Sequence, residues 1–166
     1  MTNEIKQILN ELNIDMKVAY IEGDNLMSRI EELQKNGEEF TNIDKEISLK
    51  DSGFPVLTAN AYLGAWGIKE ALDKGADIVV CPRVTDAAVV MGPAAWRFNW
   101  GRDDFDKLAG ALAAGHIIEC GCQATGGNYA FFEEVPSFEN VGFPIAEIQS
   151  DGSFFITIHP GTGGLV

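Results

Sequence analysis

No lysine or arginine follows Lys107 in this chain of 166 residues. An anion held by that basic-free stretch must rely on backbone N–H groups, on Arg83 or earlier lysines, or on cations from another chain. The whole chain is also short of positive charge, with 12 Lys and Arg against 25 Asp and Glu, net −13. This argues against a nucleic-acid or anionic-membrane surface, because neutralising phosphates needs clustered basic side chains. Cysteine is scarce and odd in number, three in all, so no disulfide framework is expected and a reducing compartment is. Met1 to Gln7 has no basic segment leading into an apolar run, which predicts no secretory signal and a cytoplasmic protein. The longest weakly polar run, Leu108 to Ile118, contains a histidine and is too short to span a bilayer. Internal repeats are absent, as are G-x-G-x-x-G and G-x-x-x-x-G-K-[ST], so no nucleotide fingerprint can be read.

What remains is an ordinary globular composition, 46% hydrophobic and 22% charged, with 18 glycines. A chain of this size can bury a core as one domain over 1–166. Ile5, Ile8, Leu9 and Leu12 have the spacing of a short amphipathic helix. Met16 to Ile21 reads as a buried strand, and Asn25 to Gln34 as a helix stopped at Asn36-Gly37. After a polar connection over 38–53, Pro55 to Ala61 reads as a strand and Tyr62 to Lys74 as a helix ending at Gly75. Asp77 to Cys81 is a third strand, and Val84 to Met91 a helix interrupted by Gly92-Pro93. The strongest helix signal runs from Asp103 to Cys120, and 129–148 looks irregular. Ser153 to Ile158 is a last strand entering a Gly-rich turn. Strands alternating with helices predict an α/β fold, a mainly parallel sheet with helical crossovers in Rossmann-like layering. The stop at Gly164-Leu165-Val166, just after a strand and turn, predicts an incomplete domain.

In open α/β sheets ligands bind beyond the carboxyl ends of the strands. Those ends here carry Asp24, Asn60, Arg83 with Asp86, and His159. Asp24 and Asp86 can equally be helix caps. Arg83 beside Asp86 forms either a structural pair or an anion clamp. On the 103–120 helix, Phe105, Leu108, Ala109, Leu112, His116, Glu119 and Cys120 fall within about a third of the circumference. A face that begins as core therefore ends in an imidazole, a carboxylate and a thiol. Pairing of His116 with Glu119 would offset the cost of a buried carboxylate. Such a pair is either structural or an acid–base couple. Metal binding by His116, Cys120 and Cys122 lacks the second closely spaced pair a structural zinc needs, so no metal and no cofactor are expected. The turns Gln123-Ala124-Thr125-Gly126-Gly127-Asn128 and Pro160-Gly161-Thr162-Gly163-Gly164 are either tight turns or nests of N–H groups for an anion.

These residues carry a family resemblance. N-A-Y-L-G-A, A-D-I-V-V-C-P-R-V-T-D, A-G-H-I-I-E-C-G-C-Q-A-T-G-G-N, V-G-F-P-I-A-E-I, D-G-S-F-F-I-T and P-G-T-G-G-L-V resemble, in that order, the N-terminal domain of the acyclic terpene utilisation (AtuA-like) family, from about Lys17 to Val166. The resemblance implies catabolism of acyclic terpenes and similar branched acyl-CoA compounds in bacteria. It also implies that a Gly-containing strand and loop belong before this region and more sheet and helix after it. The matching polar positions are Asn60, Arg83, Asp86, His116, Glu119, Gln123, Thr125 and Asn128, with the glycines of both turns. Cys81 stands where the family usually has Gly, and Cys122 where it often has Ala.

The combined expectation is an enzyme domain acting on a small carboxylate or acyl-CoA thioester, a lyase or hydratase in class. His116, Glu119 and Asp86 would do acid–base work. Asn60, Arg83, Gln123, Thr125, Gly126, Gly127, Asn128, Gly161, Thr162, Gly163 and Gly164 would hold the substrate. The expected partners are a small anionic metabolite and further copies of the chain in a homo-oligomer. The competing readings are a non-catalytic domain for an anionic metabolite or a carboxylase-like partner, and an inactive fragment.

Overall fold

The computed structural model describes residues 1–166 throughout. Helix α1, Thr2–Glu11, packs lightly on strand β1, Val18–Tyr20, and buries no residue completely. A 3₁₀ turn at Met27–Arg29 leads into α2, Ile30–Lys35. Then come α3, Trp66–Asp73, strand β2, Ile78–Val80, and α4, Ala88–Arg97. The longest element is α5, Phe105–Glu119, and strands β3, Pro144–Ile148, and β4, Phe154–Ile158, close the chain.

The fold is mixed α/β with two separate two-stranded sheets. Strands β1 and β2 are parallel, with Val18 opposite Ile78 and Tyr20 opposite Val80. Strands β3 and β4 form an antiparallel hairpin, with Pro144 opposite Ile158 and Ile148 opposite Phe154. The expected single, mainly parallel Rossmann-like sheet is therefore not formed. Pro55 to Ala61 is not a strand; its backbone pairs only at an isolated bridge between Asn25 and Asn60. A strand is stable only when its backbone groups find a partner, and here Leu57 is left 84% exposed. Conversely, β3 lies inside the stretch that looked irregular. Its inward residues Pro144, Ala146 and Ile148 alternate with exposed Ile145 and Glu147, the period of a half-covered strand.

Small residues set the helix packing. A Cβ on Gly92 would lie 2.6 Å from the Cβ of Ile68, so α4 approaches α3 more closely than any larger side chain would permit. That packing carries α4 straight through Gly92-Pro93, where an interruption was expected, despite the hydrogen bond a mid-helix proline removes. One core joins Ala65, Ile68 and Ala88 between α3 and α4. A second joins Ala94, Ala95, Trp100 and Ala111 between α4 and α5, with Ile148 of the hairpin against it. The indole N–H of Trp100 donates to the carbonyl of Ser150 at 3.0 Å, tying the hairpin turn to that core.

Helix α5 is turned over relative to the sequence expectation. It buries Ala111, Ala114 and Gly115 and leaves Phe105 70% and Leu112 45% exposed. Ala109, His116, Glu119 and Cys120 share the open side. The physical reason is the row of small residues. Gly115 lies against Ala87, and Gly110 meets Gly152 of the hairpin turn backbone to backbone. Close approach of small residues has won over burial of the larger stripe.

The total exposed surface is 11566 Å² for 18.0 kDa, about 45% above the roughly 8,000 Å² of a compact monomer of this mass. No helix is long and apolar enough to cross a membrane.

Candidate functional site

Three chain segments meet at the carboxyl ends of β1 and β2, and Asp24 joins them. Its carboxylate Oδ2 accepts the side-chain N–H of Asn60 at 2.9 Å and the backbone N–H of Arg83 at 3.4 Å. Its carbonyl accepts the N–H of Ala61 at 2.7 Å. Desolvation pushes the Asp24 carboxyl up. The hydrogen bonds from Asn60 and from the backbone N–H groups of Arg83, Asn25 and Asp24 itself outweigh it and hold the group below the usual value. Leu63 extends the seam by donating to the carbonyl of Arg83 at 3.1 Å and accepting from Thr85 at 2.9 Å. Neither α2 nor α4 has a side-chain cap, so Asp24 and Asp86 are not helix caps.

Arg83 is exposed at this rim and forms no ion pair with Asp86 or any other carboxylate. Its guanidinium carbon lies over the ring of Tyr62, 5.4 Å from the centroid, a cation–π contact that braces the head. Tyr62 lies two residues beyond Asn60, inside the N-A-Y motif, and sequence reasoning did not give it a role.

The end of α5 reaches the same loop. A Cβ on Gly115 would lie 2.8 Å from both Cα and Cβ of Ala87, so the helix runs directly against the residue after Asp86. Glu119, one turn beyond Gly115 and exposed, accepts a hydrogen bond from the thiol of Cys120 at 3.0 Å. That bond, desolvation, and the negative charges of Glu119 and Asp86 together raise the Cys120 thiol above its ordinary value. Cys120 is thus kept protonated, the opposite of what a nucleophilic cysteine needs. The expected pair of His116 with Glu119 is not made. His116, Glu119 and Asp86 all lie on open surface.

The two Thr-Gly-Gly turns form a second cluster immediately after α5, and they pack on each other. Thr125 is fully buried, and its hydroxyl bonds to the carbonyls of Gly142 and Cys122. Its own carbonyl accepts the N–H of Leu165 at 2.9 Å. Gly164, with φ +102°, brings its backbone against that same carbonyl where no side chain would fit. The N–H groups of Gly127, Gly163 and Gly164 donate to the carbonyls of Cys122, Asn140 and Ser137. Thr162 donates through its hydroxyl to the carbonyl of His159 at 2.7 Å. Those donors serve the turns and are not aimed at a ligand. Gln123, Gly126 and Asn128, with Tyr129, Leu165 and Val166, border an open cleft of about 390 Å³; Gly161 is exposed at the far turn. Neither Tyr129 nor Leu165 was among the residues expected to hold the substrate. No three His, Cys, Asp or Glu side chains converge closely enough to hold a metal ion.

The residues so arranged belong to the motifs that carry the family resemblance, and comparison bears this out over the whole chain. The family model described as acyclic terpene utilisation family protein AtuA matches residues 1–166. The chain belongs to the acyclic terpene utilisation family. No curated protein and no solved structure matches it significantly. Within this AtuA-family chain, the structure brings Asn60 and Arg83 together at one rim and runs the end of α5 against the Asp86 loop. Gln123, Gly126 and Asn128 it gathers at the cleft, while Thr125, Gly127, Gly163 and Gly164 form the frame behind it.

Proposed function

We propose that this AtuA-family chain is an enzyme domain acting on a small carboxylate or branched acyl-CoA thioester in acyclic terpene utilisation, by acid–base chemistry of the lyase or hydratase kind. The observation that carries the reading is Arg83: an exposed guanidinium without a carboxylate partner, braced by Tyr62, on a backbone tied to Asp24. A planar guanidinium in that condition suits the carboxylate or phosphate end of a substrate. Asn60, held by Asp24, would set its side-chain carbonyl toward the same ligand. Asp86, Glu119 and His116 would be the proton-transfer groups on the adjoining surface. The cleft bordered by Gln123 and Leu165 would take the branched hydrocarbon part.

The test is a screen of the full chain against branched acyl-CoA thioesters and free carboxylates, followed by variants on the substrate found. His116→Ala should keep the wild-type circular dichroism and lose turnover by about 10²-fold or more. Arg83→Gln should raise KM with a smaller change in kcat. Unchanged turnover in His116→Ala removes the imidazole from the mechanism. A non-catalytic binder is the second reading, favoured by the exposure of His116, Glu119 and Asp86 on open surface. Acyl-CoA binding that needs Arg83 but gives no product would establish it.

A further inference from the structure

We propose that the free edge of β4 pairs antiparallel with β4 of a second copy of this chain, joining the two hairpins into one sheet. Within the hairpin, Gln149 donates to the carbonyl of Ser153 at 2.8 Å, and the register sets Glu147 opposite Phe155 and Ile145 opposite Thr157. Hydrogen-bonded and non-bonded pairs alternate along an antiparallel ladder. The bonded pairs are therefore Glu147–Phe155 and Ile145–Thr157, and the N–H and C=O groups of Phe154, Ile156 and Ile158 face away from β3. No third strand lies beside them, and no other part of the chain takes up their bonds. Among protein partners, such a row of unmet backbone donors and acceptors is matched by an extended strand.

The two edges of the hairpin differ. On the β3 side Pro144 has no N–H to offer, and the carbonyl of Ser150, further along, is taken by the indole of Trp100. On the β4 side Ser153 to Ile158 carries no proline and no charge and runs without a bulge against β3. It thus lacks the devices that keep a free edge from pairing. Helix α5 also covers β3 more than β4, so Phe154, Ile156 and Ile158 are only half-buried. Pairing would set the same residues of a second copy beside them.

The occupant is a second copy because the edge is complementary to itself. The register that uses every free group sets Phe154 against the second copy's Ile158 and Ile156 against its own equivalent, each pairing exchanging two backbone bonds. On the open face it sets Phe155, 66% exposed, against the second copy's Thr157, an aromatic beside a β-branched residue, which is a favourable cross-strand pair. Charge does not oppose it. Glu147, the one charged residue of the two strands, stays three strand spacings, about 14 Å, from its equivalent, beyond the screening length of about 8 Å. Asp151 in the turn is bonded to the N–H and hydroxyl of Ser153 and comes level with the second copy's Gly161. To a foreign strand, by contrast, β4 offers no charged group by which to select it. The twofold consumes the same edge in both copies, and the blunted β3 edges stop growth, so the assembly closes as a dimer.

The inference does not rest on the function proposed above. It is read as mass, while that function is read as turnover, so either can fail alone.

Light scattering on the full chain at tens of micromolar should give twice the 18.0 kDa of one chain. Ile156→Pro removes an N–H that β3 does not use, and should give 18.0 kDa with the wild-type circular dichroism. As a check independent of that variant's folding, Phe155→Cys with Thr157→Cys, both at exposed positions, in a chain whose three native cysteines are serine, should join two copies under mild oxidation. Glu147→Cys in the same background, on the same face but on β3, should not. A wild-type monomer overturns the proposal and leaves the edge to a strand of a different protein. So does a dimer that survives Ile156→Pro with the wild-type spectrum, a Phe155→Cys/Thr157→Cys chain that fails to cross-link, or a Glu147→Cys chain that links as readily. If Ile156→Pro loses the wild-type spectrum, the cross-link decides.

Discussion

Gly115 lies flat against Ala87, and that single contact joins the end of α5 to the loop bearing Arg83 and Asp86. A Cβ there would stand 2.8 Å from both Cα and Cβ of Ala87 and 3.2 Å from its carbonyl oxygen. Both neighbours belong to backbone or to a methyl with no freedom to swing away, so any larger residue must push the helices apart. Gly115→Val should cost about 1–3 kcal/mol by overpacking, partly masked by the better helix propensity of any non-glycine residue. Urea denaturation should show it as a lower midpoint at unchanged slope. A midpoint at or above that of the wild type would mean that α4 and α5 are not packed this closely.

Thr125 makes a similar claim for the turn cluster. It is the one polar side chain that is fully buried, and its hydroxyl is bonded to the carbonyls of Gly142 and Cys122. Thr125→Val keeps the shape and leaves the carbonyl of buried Gly142 short of its hydroxyl donor, while that of Cys122 still accepts the N–H of Gly127, a loss of about 1–3 kcal/mol. Thr125→Ser, which retains the hydroxyl, should lose less. Equal losses in the two variants would show that packing, and not the hydrogen bond, fixes the turns to each other.

Asp24 links stability to pH. Its carboxyl sits below the ordinary 3.8, desolvation notwithstanding, because Asn60 and backbone N–H groups bond the charged form. A folded-state value lower than the unfolded one means a contribution fully present above the ordinary carboxylate range and lost as pH falls through the folded value. Wild type should therefore lose more stability than Asp24→Asn between about pH 5 and about pH 3. Parallel curves for the two proteins would show that the carboxylate is not bonded as described.

How much of this could be read in the residues varies with the element. Strands β1, β2 and β4 were legible because each is a compact apolar run ended by glycine or charge. The extent of α5 was legible from Asp103-Asp104 at its start and Gly121 at its end, but its orientation was not. Periodicity located the apolar stripe through Phe105, Leu112 and His116 and assigned it to the core. The close contacts of Gly110, Ala111 and Gly115, which decide the matter, have no signature in hydrophobic pattern, because small residues are weak in any such measure. Pro55 to Ala61 failed as a strand because pairing is a property of the neighbour as well as of the segment. At the candidate site, Arg83 was legible from its place just after β2, whereas Asn60 was picked out at the end of a strand that does not form. The part of Asp24 in joining them was not legible, since a hydrogen bond between residues 36 apart leaves no local trace.

Cys120 offers the most direct test of the chemistry at the end of α5. Its thiol is raised first by the hydrogen bond to Glu119, then by desolvation, and then by the charges of Glu119 and Asp86. Because the thiolate is the reactive form, alkylation of Cys120 in the otherwise wild-type chain should be slow at pH 8 and climb only in alkaline solution. Glu119→Gln removes both the carboxylate acceptor and its charge, so the pH–rate profile of iodoacetamide alkylation should move to lower pH, with faster reaction at pH 8. Asp86→Asn removes only the smaller charge effect and should move the profile less in the same direction. The measurement is best made with Cys81 and Cys122 changed to serine, Cys81 being itself raised by burial. A profile unmoved by Glu119→Gln would break the contact between Glu119 and Cys120. A profile moved by Glu119→Gln but not at all by Asp86→Asn would separate the end of α5 from the Asp86 loop, and with it the surface on which the proposed proton transfer depends.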